Sequence, residues 1–241
     1  MCTIHRQPKE DDFCTPSLVK SHGNIADFER FFNEAIKNRD IVPGQLFTEL
    51  ELSTHSHCPT HIVREFLLRF SRFNLVNNIE RGRWEMAKFE QSYADNLFEL
   101  REMLECHALS RFMNLPRSDS RWHDTQYLLQ EHRDLREKVI YDYQQFSDLD
   151  HKFHMLILSA ANNPFMEQFY DIISVIFHYH YQWDNSDLRT RNMIAVEEHM
   201  AILSKILSFD DIGAMSELRR HLHTAKTSMA NSLITEHSPV K

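Results

Sequence analysis

The sequence predicts a mainly α protein, with an N-terminal winged helix-turn-helix followed by an all-α helical bundle. Three observations carry that expectation. Glycine and proline are scarce, four and seven in 241 residues, which favours helices over a turn-rich all-β fold. Apolar residues recur at three and four over most of the chain, the period of helices buried along one face. Between residues 75 and 87 that period gives way to two short extended segments around Glu80-Arg81-Gly82-Arg83. The length leaves room for one large or two small domains with ample core.

Residues 1–23 mix Pro8, Pro16, charges and small polar groups without periodicity, and read as a mobile N-terminal arm. From Asn24, a suitable N-cap, Ile25, Phe28, Phe31, Phe32, Ala35 and Ile36 mark a first helix. Pro43-Gly44 breaks the chain. A short helix is expected around Phe47–Leu52, then a polar turn from Ser53 to Cys58. A third helix begins near Pro59, where a missing N–H costs nothing, with Ile62, Val63, Phe66, Leu67 and Phe70 on its apolar face. Strand candidates Leu75–Ile79 and Trp84–Ala87 form a two-stranded wing. Residues 24–88 thus read as one winged helix-turn-helix domain.

Beyond Lys88 the spacing predicts helices near 90–113, 119–145, 146–161, 164–182, 188–208 and 211–234. They are separated at Pro116, Asn162-Asn163-Pro164, Asp184-Asn185-Ser186 and Asp210-Asp211. Residues 89–235 therefore form one all-helical domain, with 236–241 as a C-terminal tail. The most apolar stretches, Phe153–Ala161 and Phe169–Tyr181, are interrupted by polar residues and too short to cross a bilayer. No apolar segment follows the N-terminal charges, so no secretion signal is expected. Cys2, Cys14, Cys58 and Cys106 form no C-x-x-C pair, which suits a reducing compartment. A cytoplasmic protein with no membrane partner is the expectation.

Chemistry concentrates in two places. Asp150 and His154 stand four apart, one above the other on a helix face. Neutral imidazole offers a lone pair near neutral pH, and a carboxylate adds the charge that holds a divalent ion. Alone, such a pair is more often a hydrogen bond on a helix surface. His199, however, opens an apolar pattern with Ile202, Leu203, Ile206 and Leu207, and His221 sits in another with Met215, Leu218, Leu222 and Ala225. If those helices pack beside Asp150, three imidazoles and a carboxylate converge on a divalent metal, with Zn, Ni and Mn undistinguished. His223 is the nearest competitor to His221; His151, His178 and His180 read as structural or pocket-lining. The chain has no His-Glu-x-x-His or Glu-x-x-His, no Gly-rich phosphate loop and no Gly-x-Ser-x-Gly elbow. That moves the site from catalysis towards sensing, with a metal-dependent hydrolase or other all-α enzyme as the alternative.

The second place is the predicted third helix and wing. The net charge of −8 falls wholly after residue 88, since residues 1–88 carry 12 basic and 12 acidic groups. Residues 55–88 hold six basic groups against three acidic. A locally basic segment on an acidic chain marks a candidate anion-binding face. In a helix-turn-helix the second helix presents its N-terminal residues to the major groove. Here those are Thr60, His61, Arg64 and, further on, Arg69, with Arg81 and Arg83 at the wing tip. As isolated residues these are ordinary solvated charges; the helical arrangement with a wing favours double-stranded DNA.

Several motifs together resemble the GntR family of bacterial transcription regulators, in the subfamily with an all-helical FCD ligand-binding domain. They are Pro43-Gly44-Gln45, Val63-Arg64-Glu65, Arg81-Gly82-Arg83, Leu100-Arg101-Glu102-Met103-Leu104-Glu105, Asp150-x-x-Phe153-His154 with Asn163-Pro164, Glu198-His199 and Arg220-His221-Leu222. The resemblance runs from about Asn24 to Leu233. It implies a homodimer on a roughly palindromic operator, acting as a repressor, with a small organic acid bound near a divalent metal. By matching position the ligands would be Asp150, His154, His199 and His221, which favours His221 over His223. Arg101 falls where the family carries an arginine that holds an effector carboxylate; its simpler role is an ion pair with Glu105. Asn163 matches a turn position. Pro59 and Thr60 replace the usual Ser-Arg, and Asn74 stands where Gly is common. Without an arginine reading DNA at that place, discrimination falls by about 1–3 kcal/mol.

Overall fold

A computed structural model describes residues 23–38, 40–72, 74–88, 91–136, 143–183 and 188–235, so most of the expected arm and the tail fall outside the described residues. The mainly α fold is as expected. α1 (Ile25–Lys37) opens with a capping box: Asn24 Oδ1 accepts from Asp27 N at 3.0 Å, and Asp27 accepts from Asn24 N at 3.3 Å. Its Phe28 and Phe32 meet Phe66 of α3 (Thr60–Ser71) edge-on at 5.0 and 5.1 Å between ring centroids. Those rings hold α3 by its inner face, so its other face turns outward.

The sequence reading misplaced the element between these helices. Phe47 lies in a three-residue strand, β1 (Leu46–Thr48), and α2 runs from Glu49 to Ser56. A second capping box decides the boundary, with Thr48 and Glu51 exchanging hydrogen bonds across the first turn. The turn to α3 is therefore only His57-Cys58-Pro59, with His57 left-handed at φ 55°. The wing is three-stranded rather than two-stranded: β2 (Val76–Glu80) and β3 (Arg83–Met86) pair antiparallel, and β1 adds to β3 with Phe47 opposite Trp84. Gly82 turns the wing tip at φ +75°, a region that favours glycine. Asn74, standing where Gly is common, takes φ 54°, which asparagine tolerates better than other side chains.

Six further helices follow among the described residues: α4 (Gln91–Met113), α5 (Arg121–Arg136), α6 (Tyr143–Ser159), α7 (Pro164–Trp183), α8 (Leu188–Leu207) and α9 (Asp211–Thr235). The expected helix over 119–145 is α5 plus the start of α6; residues 137–142 lie outside the described residues. Asn163 Oδ1 accepts from Phe165 N at 3.1 Å, capping α7 in the turn role expected of it. α8 and α9 form a hairpin, its turn closed by Asp210 Oδ1 accepting from Gly213 N at 2.9 Å. α4 packs on α6 and α9, and α5 on α6 and α8. The apolar core of the winged unit continues into the bundle through Ala94, Leu97, Phe98, Ile173, Ile176 and Met229.

Candidate metal centre

The bundle gathers polar groups at its middle. His199 lies eight residues before the end of α8 and His221 ten residues after the start of α9. At an equal rise per residue, a tight antiparallel hairpin brings the two to nearly the same height. Their Nε2 atoms lie 3.3 Å apart. His154, from α6, completes a cluster in which one nitrogen of each imidazole lies within 4.8 Å of the others. All three are buried. Asp150, one turn before His154, brings Oδ1 to 3.7 Å from both His154 Nε2 and His199 Nε2. The expected set Asp150, His154, His199 and His221 is thus brought together; His223 is exposed on the far side of α9. His151 pairs loosely with Asp171 at 3.8 Å, and the side chains of His178 and His180 lie outside those described.

The other nitrogen of every imidazole is engaged. His154 Nδ1 meets Glu105 Oε2 at 2.7 Å, and His221 Nδ1 meets Glu198 Oε2 at 2.9 Å. His199 Nδ1 meets His132 Nε2 at 3.1 Å, while His132 Nδ1 reaches the Leu128 carbonyl at 2.7 Å. A carbonyl only accepts, so His132 carries its proton on Nδ1 and, when neutral, its Nε2 accepts. His199 must then donate from Nδ1. Carboxylates impose the same tautomer on His154 and His221. All three Nε2 atoms therefore turn a lone pair towards the cluster, the arrangement by which outer partners orient metal ligands.

For His199 and His221, electrostatics agrees with this assignment. Burial, reinforced by the neighbouring imidazoles, holds His199 well below the ordinary histidine range. Burial also lowers His221, against the pull of Glu198. Burial would lower His154 too, but the Glu105 charge outweighs it and the net direction is up. Burial works to raise Asp150, and its hydrogen bond to His154 with nearby positive charge brings it below the usual carboxylate range. The centre thus offers neutral imidazoles on α8 and α9 opposite an ionised carboxylate, a donor set that fits a divalent metal.

Arg101 makes the simpler of the two contacts weighed for it, the ion pair. Its Nε meets Glu105 Oε1 at 2.5 Å, the i,i+4 pair, with both side chains buried. The same guanidinium faces the centre: Nη2 lies 2.7 Å from His154 Nε2 and 3.4 Å from the Tyr170 hydroxyl. Burial works to raise Glu105, yet the charges of Arg101 and His154 hold it down at about 2. Sequence reasoning missed His132, Tyr170 and the orienting roles of Glu105 and Glu198. The signal for His132 was present, since it occupies the apolar stripe of Leu128, Leu129 and Leu135.

The residues expected to meet DNA divide differently. His61, Arg64 and Arg69 line a shallow outward depression of about 450 Å³ on α3, with Ile25, Glu65, Leu68 and Arg72. Thr60 is turned aside, its hydroxyl donating to Ser53 Oγ at 3.3 Å. Arg81 is exposed at the wing tip, and Arg83, also exposed, pairs with Glu80 at 3.2 Å. Arg64 is gripped by the buried Glu49 at 2.6 Å.

A winged helix-turn-helix joined to a six-helix bundle with a central histidine cluster defines a class, and residues 96–224 match the FCD domain family. The chain belongs to the FCD-domain group of GntR-type transcription regulators, a group of regulators rather than enzymes. It is 47% identical over 232 residues to the "Probable HTH-type transcriptional regulator LgoR" of Escherichia coli K12, covering 95% of this chain and 76% of that one. Among solved structures, E. coli McbR/YncC superposes with a TM-score of 0.67 at 16% identity, over 89% of this chain and 98% of that chain. The metal-free FCD domain of TM0439 superposes at 0.52 and 19% identity, over 62% and 99%. Its Zn2+-bound form gives 0.50 at 20% identity over the same shares. Among the described residues no helix is long and apolar enough to cross a membrane.

Proposed function

We propose that this transcription regulator is a homodimeric repressor whose affinity for operator DNA is set by a small organic acid bound beside a divalent metal. The observation that carries the reading is the triple tautomer assignment: three buried imidazoles, each fixed through Nδ1, aim their Nε2 lone pairs at one point beside Asp150. Burial alone would give each imidazole a partner; what favours a metal is that one nitrogen of each meets the others within 4.8 Å beside a carboxylate. Asp150, His154, His199 and His221 would hold the metal. As a Lewis acid, a bound metal supplies positive charge for a carboxylate ligand. The Zn2+-bound form of TM0439 is a precedent for metal in this fold; the choice here rests on the chain's own donors.

Arg101 makes the centre responsive. The His154 Nε2 lone pair can serve either the Arg101 guanidinium or a metal, and not both. With that lone pair given to a metal, Arg101 would keep Glu105 through Nε, and its Nη2 would be left to donate to an acid's carboxylate. A guanidinium beside a bound metal would recognise a small carboxylate in preference to a neutral ligand. DNA is met by His61, Arg64, Arg69, Arg81 and Arg83; Thr60 would act through the turn. Linkage then couples the sites: whatever factor the acid imposes on operator affinity, operator imposes on acid affinity, typically 5–150-fold.

The test is elemental analysis of the full chain purified without chelator, followed by DNA binding with and without a panel of organic acids. About one metal per chain, and an acid that weakens DNA binding reciprocally, is the expected result. A chain without metal affinity would overturn the centre; an acid that left DNA affinity unchanged would overturn the linkage.

A further inference from the structure

The metal centre does not use the most heavily committed carboxylate of the winged unit. Glu49, at the first position of α2, is buried with 4% of its surface exposed. Its Oε1 accepts from Arg64 Nε at 3.0 Å and from the Trp84 indole N–H at 3.2 Å. Its Oε2 accepts from Arg64 Nε at 2.9 Å and Nη2 at 2.6 Å. Its backbone N–H donates to the Gly82 carbonyl at the wing tip, 3.1 Å away. One residue thus ties α2, the recognition helix, the wing tip and strand β3.

We propose that Glu49 is the positioning residue of the DNA-reading face, holding Arg64 by one edge of its guanidinium so that the other edge is aimed at a single acceptor pair on DNA. This rests on the DNA-binding reading above. A guanidinium carries five N–H donors in a rigid planar fork. Glu49 takes the side-on edge, Nε with Nη2. Three N–H groups remain: one on Nη2 and one on Nη1 form the end-on edge, and the other Nη1 hydrogen points back toward Cδ. The Arg64 side chain is 53% exposed against 5% for Glu49, so the committed edge faces inward and the remaining one faces the depression lined with His61 and Arg69. An exposed arginine without such a backing samples many rotamers, and ordering it on binding costs affinity. Here the cost is met on folding. The end-on edge matches two acceptors side by side, a chemistry found on a phosphate group and on the O6/N7 edge of guanine.

The experiment is a double-mutant cycle with the full chain. A duplex is first selected from a random-sequence pool by the wild-type protein, and affinities are then measured for wild type, Glu49→Gln, Arg64→Ala and the double variant. Glu49→Gln should weaken binding by about tenfold, within the range a single bidentate arginine contact commands. In the Arg64→Ala background the same change should shift affinity less than about twofold, because distant or uncoupled effects add and coupled ones do not. Trp84→Phe, which keeps the ring but removes the N–H, should repeat the pattern at smaller size. Equal losses in both backgrounds would make Glu49 a purely structural residue and overturn the proposal, as would no loss in the wild-type background. A phosphate target shows as a change of about one in the salt slope between wild type and Arg64→Ala; a guanine target shows as relaxed preference at one base pair. Failure of the wild type to enrich any sequence would instead remove the DNA reading, and this proposal with it.

Discussion

The two polar sites of this protein are built on opposite terms. At the candidate metal centre each clustered imidazole is held by a second residue from a different helix: His154 by Glu105, His199 by His132, His221 by Glu198. On the candidate DNA face, among the described residues, only Arg64 has a buried partner, while His61, Arg69 and Arg81 stand exposed. Burial explains the contrast. A polar group removed from water must find partners, so each residue drawn into the bundle fixes the next. A group left in water carries no such demand, and the DNA face can change side chains without disturbing the fold. Exposed Pro59 is a change of that kind, whereas Thr60 turns aside to Ser53.

The largest effects should separate the two sites completely. Arg64→Ala is expected to weaken DNA binding by at least about tenfold while leaving metal per chain unchanged. His199→Ala should do the reverse, lowering metal affinity by more than the roughly 10–100-fold that outer partners command. Elemental analysis and electrophoretic mobility on the same preparations check both. Loss of metal in Arg64→Ala would mean that the sites are not separately built. Next, Glu105→Ala leaves Arg101 charged and buried without its pair, a change that costs about 3–5 kcal/mol. Thermal unfolding of the metal-free protein should fall by roughly 10 °C. Smaller again, Glu198→Gln and His132→Phe keep all the ligands but loosen their orientation. Competition with a metal indicator should show roughly 10–100-fold weaker binding, with the secondary structure intact. Wild-type affinity in both variants would reduce those partners to space-filling.

How far the sequence could be read follows the same division. Asp150 and His154 were legible because helical spacing puts them on one face, and His199 and His221 because each interrupts an apolar stripe. The pairing of His199 with His132 was not, since it joins helices through residues 67 positions apart. Periodicity says which face a residue occupies, not which helix lies opposite. Glu105 illustrates the limit: its i,i+4 partner Arg101 was readable, whereas its bond to His154 depends on how α4 packs on α6. In the winged unit the helices and the wing were legible, but β1 was not. Three residues are too few for alternation to register, and only the register with Trp84 makes them a strand. The boundary of α2 was readable in principle from Thr48 and Glu51, the capping pair three apart.

The smallest predicted effect distinguishes the two arginine–carboxylate pairs themselves. The hydrogen bond from Arg64 lowers Glu49 below its ordinary value, against the opposing effect of burial. A carboxyl depressed in the folded state stabilises it fully above the unfolded value, near 4.3, and loses that contribution as pH falls through the folded value. The unfolding temperature of wild type should therefore exceed that of Glu49→Gln at pH 7, and the gap should close in acid below the normal carboxylate range. Because half of Arg64 is exposed, salt screens this pair, and 1 M chloride should narrow the gap at pH 7 as well. The buried Arg101–Glu105 pair should respond otherwise. With Glu105 held at about 2, its contribution should persist at pH 4 and be nearly indifferent to salt. Equal salt sensitivity in the two variants would break the distinction between a site organised by burial and one organised at the surface.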